Sequence, residues 1–355
     1  LETSRINKSQ GVKIYGSSRL AVMSKKALND AGVNVHCFID EDIKTFAEIN
    51  TVECPLLDLS SVQEGDIVFV CVWTPKKSYK IIKEKLILLG ASYVYHAHHI
   101  HSFFAIDWII HYQIGKMKIP KHFDDLAETL LNLMDPMSQQ IFTNHIKWRL
   151  TLDESFIDLP QTGCKHFTQE AFIERPISTV IDGGAFDGDN LRDLIENNLK
   201  FSSYIAVEPD FLSYKKLTNY ISSLPKKMQS KIKAHNLYLT SNNQDITFSH
   251  TGQLGASRNS SFFDAGIVEG ITIDAMNLSS LDFLKLDVEG EEKNVILGAH
   301  ETISKFRPIL GISIYHHPDD FFKLPEFIIS NYKYSKIAVS QYDYDGIDLT
   351  MYFWD

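Results

Sequence analysis

Residues 180–190 read Val-Ile-Asp-Gly-Gly-Ala-Phe-Asp-Gly-Asp-Asn and decide the fold of the C-terminal half of the chain. The apolar start predicts a β-strand, the glycines predict a tight turn, and Asp189 or Asn190 can cap a following helix. A strand, a glycine-rich turn and a helix in this order are typical of Rossmann-like sheets, in which a ligand approaches the backbone of the turn. We therefore expect a cofactor to contact the turn at Asp182, Gly183, Gly184, Ala185, Asp187 and Gly188.

The charge of this turn separates two classes of cofactor. A dinucleotide places its pyrophosphate over such a turn, whereas S-adenosylmethionine carries a sulfonium, an ammonium and one carboxylate. Asp182, Asp187 and Asp189 lie within eight residues, and a carboxylate about 4 Å from a phosphate charge repels it by about 4 kcal/mol near a protein surface. The turn therefore favours S-adenosylmethionine, whose spent form is S-adenosylhomocysteine. A solvent-facing turn with no ligand is the alternative.

Two further predicted strands end in acidic residues. Glu208 follows Ile205-Ala206-Val207 and lies 26 residues after Asp182, where an acid can accept hydrogen bonds from both ribose hydroxyls. Residues 281–289 form an apolar run that ends in Asp287 and Glu289. Ligands of open α/β sheets lie beyond the carboxyl ends of the strands, so these acids should face one crevice. Glu291 and Glu292 are expected to stay solvated at the start of the next helix.

The rest of the C-terminal half, from residue 177, alternates strands with helices, which predicts a mostly parallel sheet. Strands are predicted at 178–182, 203–208, 231–238, 281–287, 308–315, 334–339 and 347–354, and helices at 189–198, 211–222, 291–305 and 321–330. The turn signal at 344–346 predicts that the last two strands form an antiparallel hairpin. Together these features predict the α/β sheet of class I methyltransferases. Asn236 and Leu237 end its third strand, where the adenine of a cofactor would lie.

A smaller Rossmann-like domain is predicted over residues 11–100. Strands at 12–16, 33–39, 66–73 and 93–95 alternate with helices at 17–31 and 76–89. Its first turn has Gly16 but carries Ser18 and Ala21 where a dinucleotide fingerprint has glycines, and Asp40 ends the second strand. Two interpretations stay open: a bound nucleotide, or a module that serves as a scaffold or docks the acceptor.

A helical connector is predicted between these domains, over residues 101–176, with the C-terminal domain spanning 177–355. Asp135-Pro136 should end one of its helices and begin the next. The histidines at the junction are either metal ligands or part of an edge loop; they are His96, His98, His99 and His101.

The C-terminal motifs resemble those of the FkbM-type family of S-adenosylmethionine-dependent methyltransferases. The resemblance rests on residues 180–189, on Val207-Glu208-Pro209, on Leu284–Glu292 and on residues 315–320, which read Tyr-His-His-Pro-Asp-Asp. It covers about 177–355. Residues 135–150 are similar to the segment that precedes this domain in longer members, which also carry an N-terminal Rossmann-like domain. The resemblance implies O-methyl transfer onto a hydroxyl of a sugar, a glycan precursor or another polar metabolite.

Transfer of a methyl group to a hydroxyl benefits from a base that takes its proton. The candidates are His316, Asp287 and Glu289, which all follow predicted strands. For His316 a structural hydrogen bond is the alternative; Asp287 can instead bind the amino group of the cofactor or shape its turn. We expect no metal, although a divalent cation bridging Asp287 and Glu289 stays open. Residues 250–263 are either a lid or a surface loop, and Arg258 can meet a phosphate on the acceptor.

The composition of the chain limits the classes of binding partner to be expected. The chain has 355 residues and a net charge of −10, which argues against nucleic acid as the main partner. No apolar run reaches the ~20 residues of a membrane span, and four widely spaced cysteines predict reduced thiols in the cytoplasm. The acceptor is expected to be a small molecule or a glycan, and a homodimer stays open. The rival functions are a binding or assembly protein without turnover and an NAD-dependent oxidoreductase that uses residues 11–100.

Overall fold

The structure, a computed structural model, describes residues 11–17, 19–41, 54–72, 78–104, 119–157, 159–167, 170–249, 265–344 and 348–355. The chain divides into two compact units. The first consists of Leu1–Lys118, Thr143–Pro160 and Asp343–Ile347, and the second of Ile119–Phe142, Gln161–Tyr342 and Asp348–Asp355. Among the described residues, no helix has both the length and the apolar character needed to cross a membrane.

The first unit contains a parallel five-stranded sheet of Rossmann-like order. Its strands are β1 (Val12–Tyr15), β2 (Val35–Ile39), β3 (Leu56–Leu57), β4 (Ile67–Val70) and β5 (Tyr93–His96). Its first three helices are α1 (Arg19–Asp30), α2 (Tyr79–Leu88) and α3 (His98–Phe104). The strand order is β3-β2-β1-β4-β5. All four residues of β4 are buried, as expected for an apolar strand in a parallel sheet. The two-residue β3 was not predicted.

The segment predicted as a connector contributes to both units. Its helices are α4 (Phe123–Asn132), α5 (Pro136–Thr151) and α6 (Glu170–Glu174). The predicted break at Asp135-Pro136 is confirmed, because Oδ1 of Asp135 accepts hydrogen bonds from the backbone N–H groups of Met137, at 2.9 Å, and Ser138, at 3.0 Å. Residues 101–118 and 143–160 belong to the first unit, and the rest of the segment to the second. The domain boundaries at residues 100 and 176 stay predictions.

The second unit is built on a seven-stranded mixed sheet. Its strands and those of two small two-stranded sheets are β6 (Thr179–Gly183), β7 (Ser203–Val207), β8 (Ile232–His235), β9 (Tyr238–Leu239), β10 (Ile246–Ser249), β11 (Ala265–Val268), β12 (Gly270–Ile271), β13 (Phe283–Leu286), β14 (Ile309–Ser313), β15 (Lys336–Gln341) and β16 (Leu349–Trp354). The order in the large sheet is β15-β16-β14-β13-β6-β7-β8. The five strands from β14 to β8 in this order are parallel, and β16 is antiparallel to both of its neighbours. The α/β fold that ends in an antiparallel hairpin is confirmed.

The helices of this unit follow the predicted alternation with two exceptions: a short helix at Lys226–Gln229 was not predicted, and one predicted helix is divided. The helices are α7 (Asp189–Glu196), α8 (Phe211–Ser223), α9 (Lys226–Gln229), α10 (Glu292–Leu297), α11 (His300–Phe306) and α12 (Asp320–Tyr332). The single helix predicted over 291–305 is wrong, because α10 and α11 are separate. A Cβ atom on Gly298 would lie 2.2 Å from the carbonyl oxygen of Thr240, so the chain needs glycine where it breaks. The parallel strands β6, β7, β13 and β14 all end at one edge, and the candidate site residues lie there.

Candidate active site

The glycine turn after β6 is packed directly against the turn after β13. Gly184 has a φ of +74°, and a Cβ atom there would lie 1.8 Å from the carbonyl oxygen of Asp287. Gly188, at a φ of +89°, precedes α7, where a Cβ atom would lie 2.9 Å from Leu217. Glycine is therefore required at Gly184 both by the backbone angle and by the lack of space. Gly183 and Ala185, the other predicted members of this turn, are buried.

Hydrogen bonds within the protein use several N–H groups of this turn. Those of Gly184 and Ala185 both donate to the carbonyl oxygen of Val207, at 3.0 and 3.1 Å. The N–H of Phe186 donates to Oε2 of Glu208 at 2.8 Å, and the N–H of Gly188 donates to the carbonyl of Ala185 at 2.9 Å. A pyrophosphate is held by turn N–H groups that point toward it. A turn whose N–H groups are used internally does not offer that cradle.

Asp182 lies beneath the turn and not on its surface. Its side chain is buried, and its Oδ1 is 3.0 Å from the ammonium of Lys285, its partner across β6 and β13. The hydroxyl of Tyr204 donates to Oδ2 of Asp182 at 2.6 Å. Lys285 also donates to the carbonyl oxygen of Gly184 at 2.9 Å. The pair therefore ties the glycine turn to two strands, and direct contact of Asp182 with a cofactor stays a prediction.

Burial and charge act in opposite directions on this pair. Burial raises the pKa of Asp182, which Lys285 and Tyr204 partly offset. Burial alone would lower the pKa of Lys285, but the carboxylates of Asp182 and Asp287 raise it above its usual value. Lys285 therefore stays protonated and supplies a fixed positive charge below the crevice.

Glu208 lies at the end of β7 with both carboxyl oxygens on backbone donors. Oε2 accepts from Phe186, and Oε1 accepts from the N–H of Asp210 at 2.8 Å. Burial raises the pKa of Glu208 to about 8, because it outweighs these two hydrogen bonds. Asn236 donates from Nδ2 to the carbonyl oxygens of Glu208 and Pro209, at 2.8 and 3.0 Å, and so fixes the loop after β7. Leu237 beside it is half-buried.

Asp287, Glu289 and His316 converge at the ends of β13 and β14. The buried imidazole of His316 places Nε2 3.2 Å from Oδ1 of Asp287 and 3.6 Å from Oε2 of Glu289. Nδ1, on the other edge of the ring, is 2.9 Å from Oε1 of Glu292. Tyr315 donates to Oδ1 of Asp287 at 3.2 Å. These three predicted residues therefore lie together, and a crevice that they share with Asp182 and Glu208 stays a prediction.

The carboxylates around His316 decide its charge. Burial alone would lower the pKa of His316, but Glu292, Asp287 and Glu289 raise it well above the usual value. Burial alone would likewise raise the pKa of Asp287, but the hydrogen bond to His316 and the charge of Lys285 bring it below the usual value. A charged imidazole has no lone pair with which to take a proton, so the structure argues against His316 as the general base.

Two residues of this site were missed or misplaced by the sequence analysis. The expectation that Glu292 stays solvated is wrong: it is fully buried, and its Oε1 also accepts from the N–H of Val288 at 2.9 Å. Lys285 was not singled out, although a lysine between two leucines in an apolar strand is a signal of a buried partner. Asp187, in contrast, is only half-buried, with Oδ1 3.7 Å from the guanidinium of Arg192.

In the first unit, the predicted nucleotide residues are used within the protein. Ser17 donates a hydrogen bond to the carboxylate of Asp40, and a Cβ atom on Gly16 would lie 2.6 Å from the carbonyl oxygen of Cys71. The histidine tract forms the end of β5 and the start of α3, so the loop interpretation is wrong. Burial lowers the pKa of His99 to about 4, which keeps its ring neutral. Ser18, the 250–263 segment with Arg258, and residues 345–347 lie outside the described residues.

Comparison with known proteins gives one family match that spans this part of the chain. The family model described as the methyltransferase FkbM domain matches residues 182–344, which contain the glycine turn, Glu208, Asp287 and His316. Residues 182–344 match the FkbM methyltransferase domain. A solved structure of a methyltransferase FkbM from Methylobacillus flagellatus matches with a TM-score of 0.72 and 18% identity, and covers 99% of this chain and 92% of that one. This likeness shows that the two chains share a fold.

Two other solved structures match this chain much more weakly. An rRNA methylase from Streptococcus thermophilus has a TM-score of 0.33 and 13% identity, over 55% of this chain and 99% of that one. A putative rRNA methylase from Clostridium thermocellum has a TM-score of 0.33 and 10% identity, over 55% and 98%. A comparison with curated proteins found no match.

Proposed function

We propose that this protein is an S-adenosylmethionine-dependent O-methyltransferase that acts on a hydroxyl of a sugar, a glycan precursor or another polar metabolite. The observation that carries the proposal is the glycine turn after β6. Several of its N–H groups are used within the protein, which disfavours a pyrophosphate, and the ionised carboxylate of Asp287 at the end of β13 suits a cationic cofactor. When bound, S-adenosylmethionine supplies a methyl group already activated for displacement by its sulfonium.

The residues around the turn fit this cofactor in chemical kind. Glu208 has a carboxylate that can accept from ribose hydroxyls in addition to its two backbone donors, because each oxygen has two lone pairs. Asp287 is ionised and partly exposed, so it can bind an ammonium group or orient the acceptor hydroxyl. The work of the protein in methyl transfer is mainly to align the acceptor oxygen with the methyl carbon and to exclude water. A polar acceptor fits the carboxylates at this edge, because hydroxyls donate to them.

Binding of the spent cofactor tests the proposal directly. We expect S-adenosylhomocysteine at 100 times its dissociation constant to stabilise the chain by about 2.7 kcal/mol, seen as a rise in the melting temperature. NAD at the same concentration should leave the melting temperature unchanged, because N–H groups of the turn after β6 are already used within the protein. Titration calorimetry with both ligands gives the affinities.

Two other outcomes of these measurements would favour the rival functions. Stabilisation by NAD and not by S-adenosylhomocysteine would favour an oxidoreductase and remove the proposal. Binding of S-adenosylhomocysteine with no methyl transfer to any member of a panel of sugars, sugar nucleotides and oligosaccharides would favour the binding protein without turnover.

The pH dependence of this binding follows from Glu208. Its carboxyl has a pKa of about 8, so at pH 7 most molecules carry it protonated. Hydrogen bonds from ribose hydroxyls to a carboxylate are stronger than those to a neutral acid, so the cofactor favours the ionised form. Affinity for S-adenosylhomocysteine should therefore rise with pH through 8 and level off above it. We expect an increase of roughly 3- to 10-fold between pH 7 and pH 9 by calorimetry.

Glu208→Gln supplies the control for this pH effect, since the amide does not titrate. The variant should bind more weakly than the unmodified chain at pH 9 and show a flat profile from pH 7 to 9. A profile with the same slope in both proteins would assign the pH effect to another group and separate Glu208 from cofactor binding.

A further inference from the structure

The carboxylates around His316 bring more negative charge to the ring than methyl transfer alone explains. The ring is fully buried and has carboxylates on both edges. Glu292 accepts a hydrogen bond from the backbone N–H of Val288 with the same oxygen that faces Nδ1, so this oxygen acts as an acceptor. Nδ1 therefore carries a hydrogen and donates it to Glu292. Nε2 then faces two carboxylates, and either a proton or a metal cation that replaces it lies between them.

We propose that Nε2 of His316, Oδ1 of Asp287 and Oε2 of Glu289 bind one divalent cation of the Mn²⁺ or Mg²⁺ type, which takes the acceptor hydroxyl as a further ligand. The second part of this proposal rests on the proposed function. The first part, a metal site, stands on geometry alone.

The two distances from Nε2 of His316 to the carboxylates fit one coordination sphere. Ligands about 2.1 Å from an octahedral cation lie about 3.0 Å apart when they are neighbours. Nε2 is 3.2 Å from Oδ1 of Asp287 and 3.6 Å from Oε2 of Glu289, so small side-chain movements bring all three to bonding distance. In the described residues, Asp287, Glu292 and His316 also place one ligand atom each within 4.8 Å of one another.

Glu292 supplies the outer support that histidine ligands in proteins usually have. A ligating imidazole commonly donates its other N–H to a carboxylate, which fixes the ring and strengthens the nitrogen as a ligand. The fully buried Glu292 accepts this hydrogen bond, because its Oε1 lies 2.9 Å from Nδ1 of His316. Its second oxygen, Oε2, is buried and has no hydrogen-bond partner in the part of the chain that the structure describes. A buried oxygen without a partner is commonly accounted for by an ordered water or an ion.

The charge balance favours a divalent cation over a proton at Nε2. Asp287, Glu289 and Glu292 bring three carboxylates to one ring. The nearby Lys285 is already paired with Asp182 and with the carbonyl of Gly184. A proton offsets one carboxylate, whereas a divalent cation offsets two and leaves three coordination positions open. Two carboxylates and one imidazole suit Mn²⁺ better than the softer metals, which prefer thiolates or several imidazoles.

The cation would help the acceptor hydroxyl to lose its proton, which the charged His316 does not do. A hydroxyl bound to a divalent cation loses its proton more readily, because the charge of the metal stabilises the alkoxide. Proton loss from the hydroxyl would then precede or accompany formation of the new C–O bond, while the bond between the methyl carbon and the sulfonium sulfur breaks and S-adenosylhomocysteine leaves. The proton goes to water or to a carboxylate that is not a ligand.

Mn²⁺ binding to the full chain tests the site without any measurement of activity. We expect one Mn²⁺ per chain by calorimetry, and ¹⁴N coupling from a histidine in pulsed electron paramagnetic resonance of the bound ion. Asp287→Asn and Glu289→Gln should weaken Mn²⁺ binding at least as much as Glu292→Gln, for which we expect a 10- to 100-fold loss. Glu291→Gln is the matched control, because Glu291 carries the same charge in the same turn and instead accepts from Asn294 at 2.6 Å. The Mn²⁺ affinity of Glu291→Gln should stay within about twofold of that of the unmodified chain.

Several results would overturn the proposal of a metal site. No Mn²⁺ binding at millimolar concentration, bound Mn²⁺ without ¹⁴N coupling in the unmodified chain, or equal losses in Glu291→Gln and Asp287→Asn would each do so. The coupling measurement needs no variant, so a variant that fails to fold does not remove the test. S-adenosylhomocysteine binding is measured in a separate titration: Mn²⁺ binding without it would keep the metal site and reject the methyltransferase, and the reverse would reject only the metal site.

Discussion

Gly184→Ala is expected to abolish binding of S-adenosylhomocysteine and to destabilise the second unit by more than about 4 kcal/mol, a cost seen only when a substitution meets a named structural conflict. The new Cβ atom would lie 1.8 Å from the carbonyl oxygen of Asp287. Backbone atoms occupy this space, so the turns after β6 and β13 would have to separate. A φ of +74° adds a further cost of roughly 1–2 kcal/mol for an alanine. Urea unfolding and calorimetric titration measure the two effects.

Gly65→Ala is the matched control for this substitution. Gly65 has a similar φ of +94°, but nothing lies within 4 Å of a Cβ atom there. It should cost only the roughly 1–2 kcal/mol of the backbone angle and leave S-adenosylhomocysteine binding unchanged. Equal effects of the two variants would mean that the close approach of Gly184 to Asp287 has no importance for the site.

The parts of this structure that the sequence predicted are those with local causes. The glycine turn was predicted because glycine is the residue that tolerates its angles, and the strands of the large sheet because short apolar runs between turn signals mark them. One local detail was still wrong, since Gly188 precedes α7 as its cap and Asp189 instead accepts from the N–H of Asn190, at 2.9 Å.

The parts that escaped prediction depend on contacts between segments far apart in the chain. Glu292 is buried because the start of α10 lies against the imidazole of His316, which follows β14 in the chain. The charge of His316 follows from that burial, so its change from a candidate base to a candidate ligand was beyond the sequence alone.

Lys285→Met is expected to destabilise the chain by about 3–5 kcal/mol, the cost of leaving one member of a buried ion pair without its partner. Both side chains are almost fully buried, at 4% exposure for Lys285 and 2% for Asp182. The lysine also holds the carbonyl of Gly184, so S-adenosylhomocysteine binding should weaken along with stability. Lys336→Met, in β15 of the same sheet, is the control: its ion pair with Glu174 is exposed, and its loss should cost at most about 1 kcal/mol.

The double variant Asp182→Asn/Lys285→Met separates the two consequences of this change. Removing both charges leaves no unpaired buried ion, and the amide oxygen of the substituted side chain can still accept from Tyr204, so the double variant should be more stable than Lys285→Met by roughly 1–3 kcal/mol. Its binding of S-adenosylhomocysteine should stay weak, because Gly184 still lacks the ammonium that fixes its carbonyl. Recovery of stability without recovery of binding would identify the pair as the support of the cofactor turn, whereas recovery of both would reduce it to a structural ion pair.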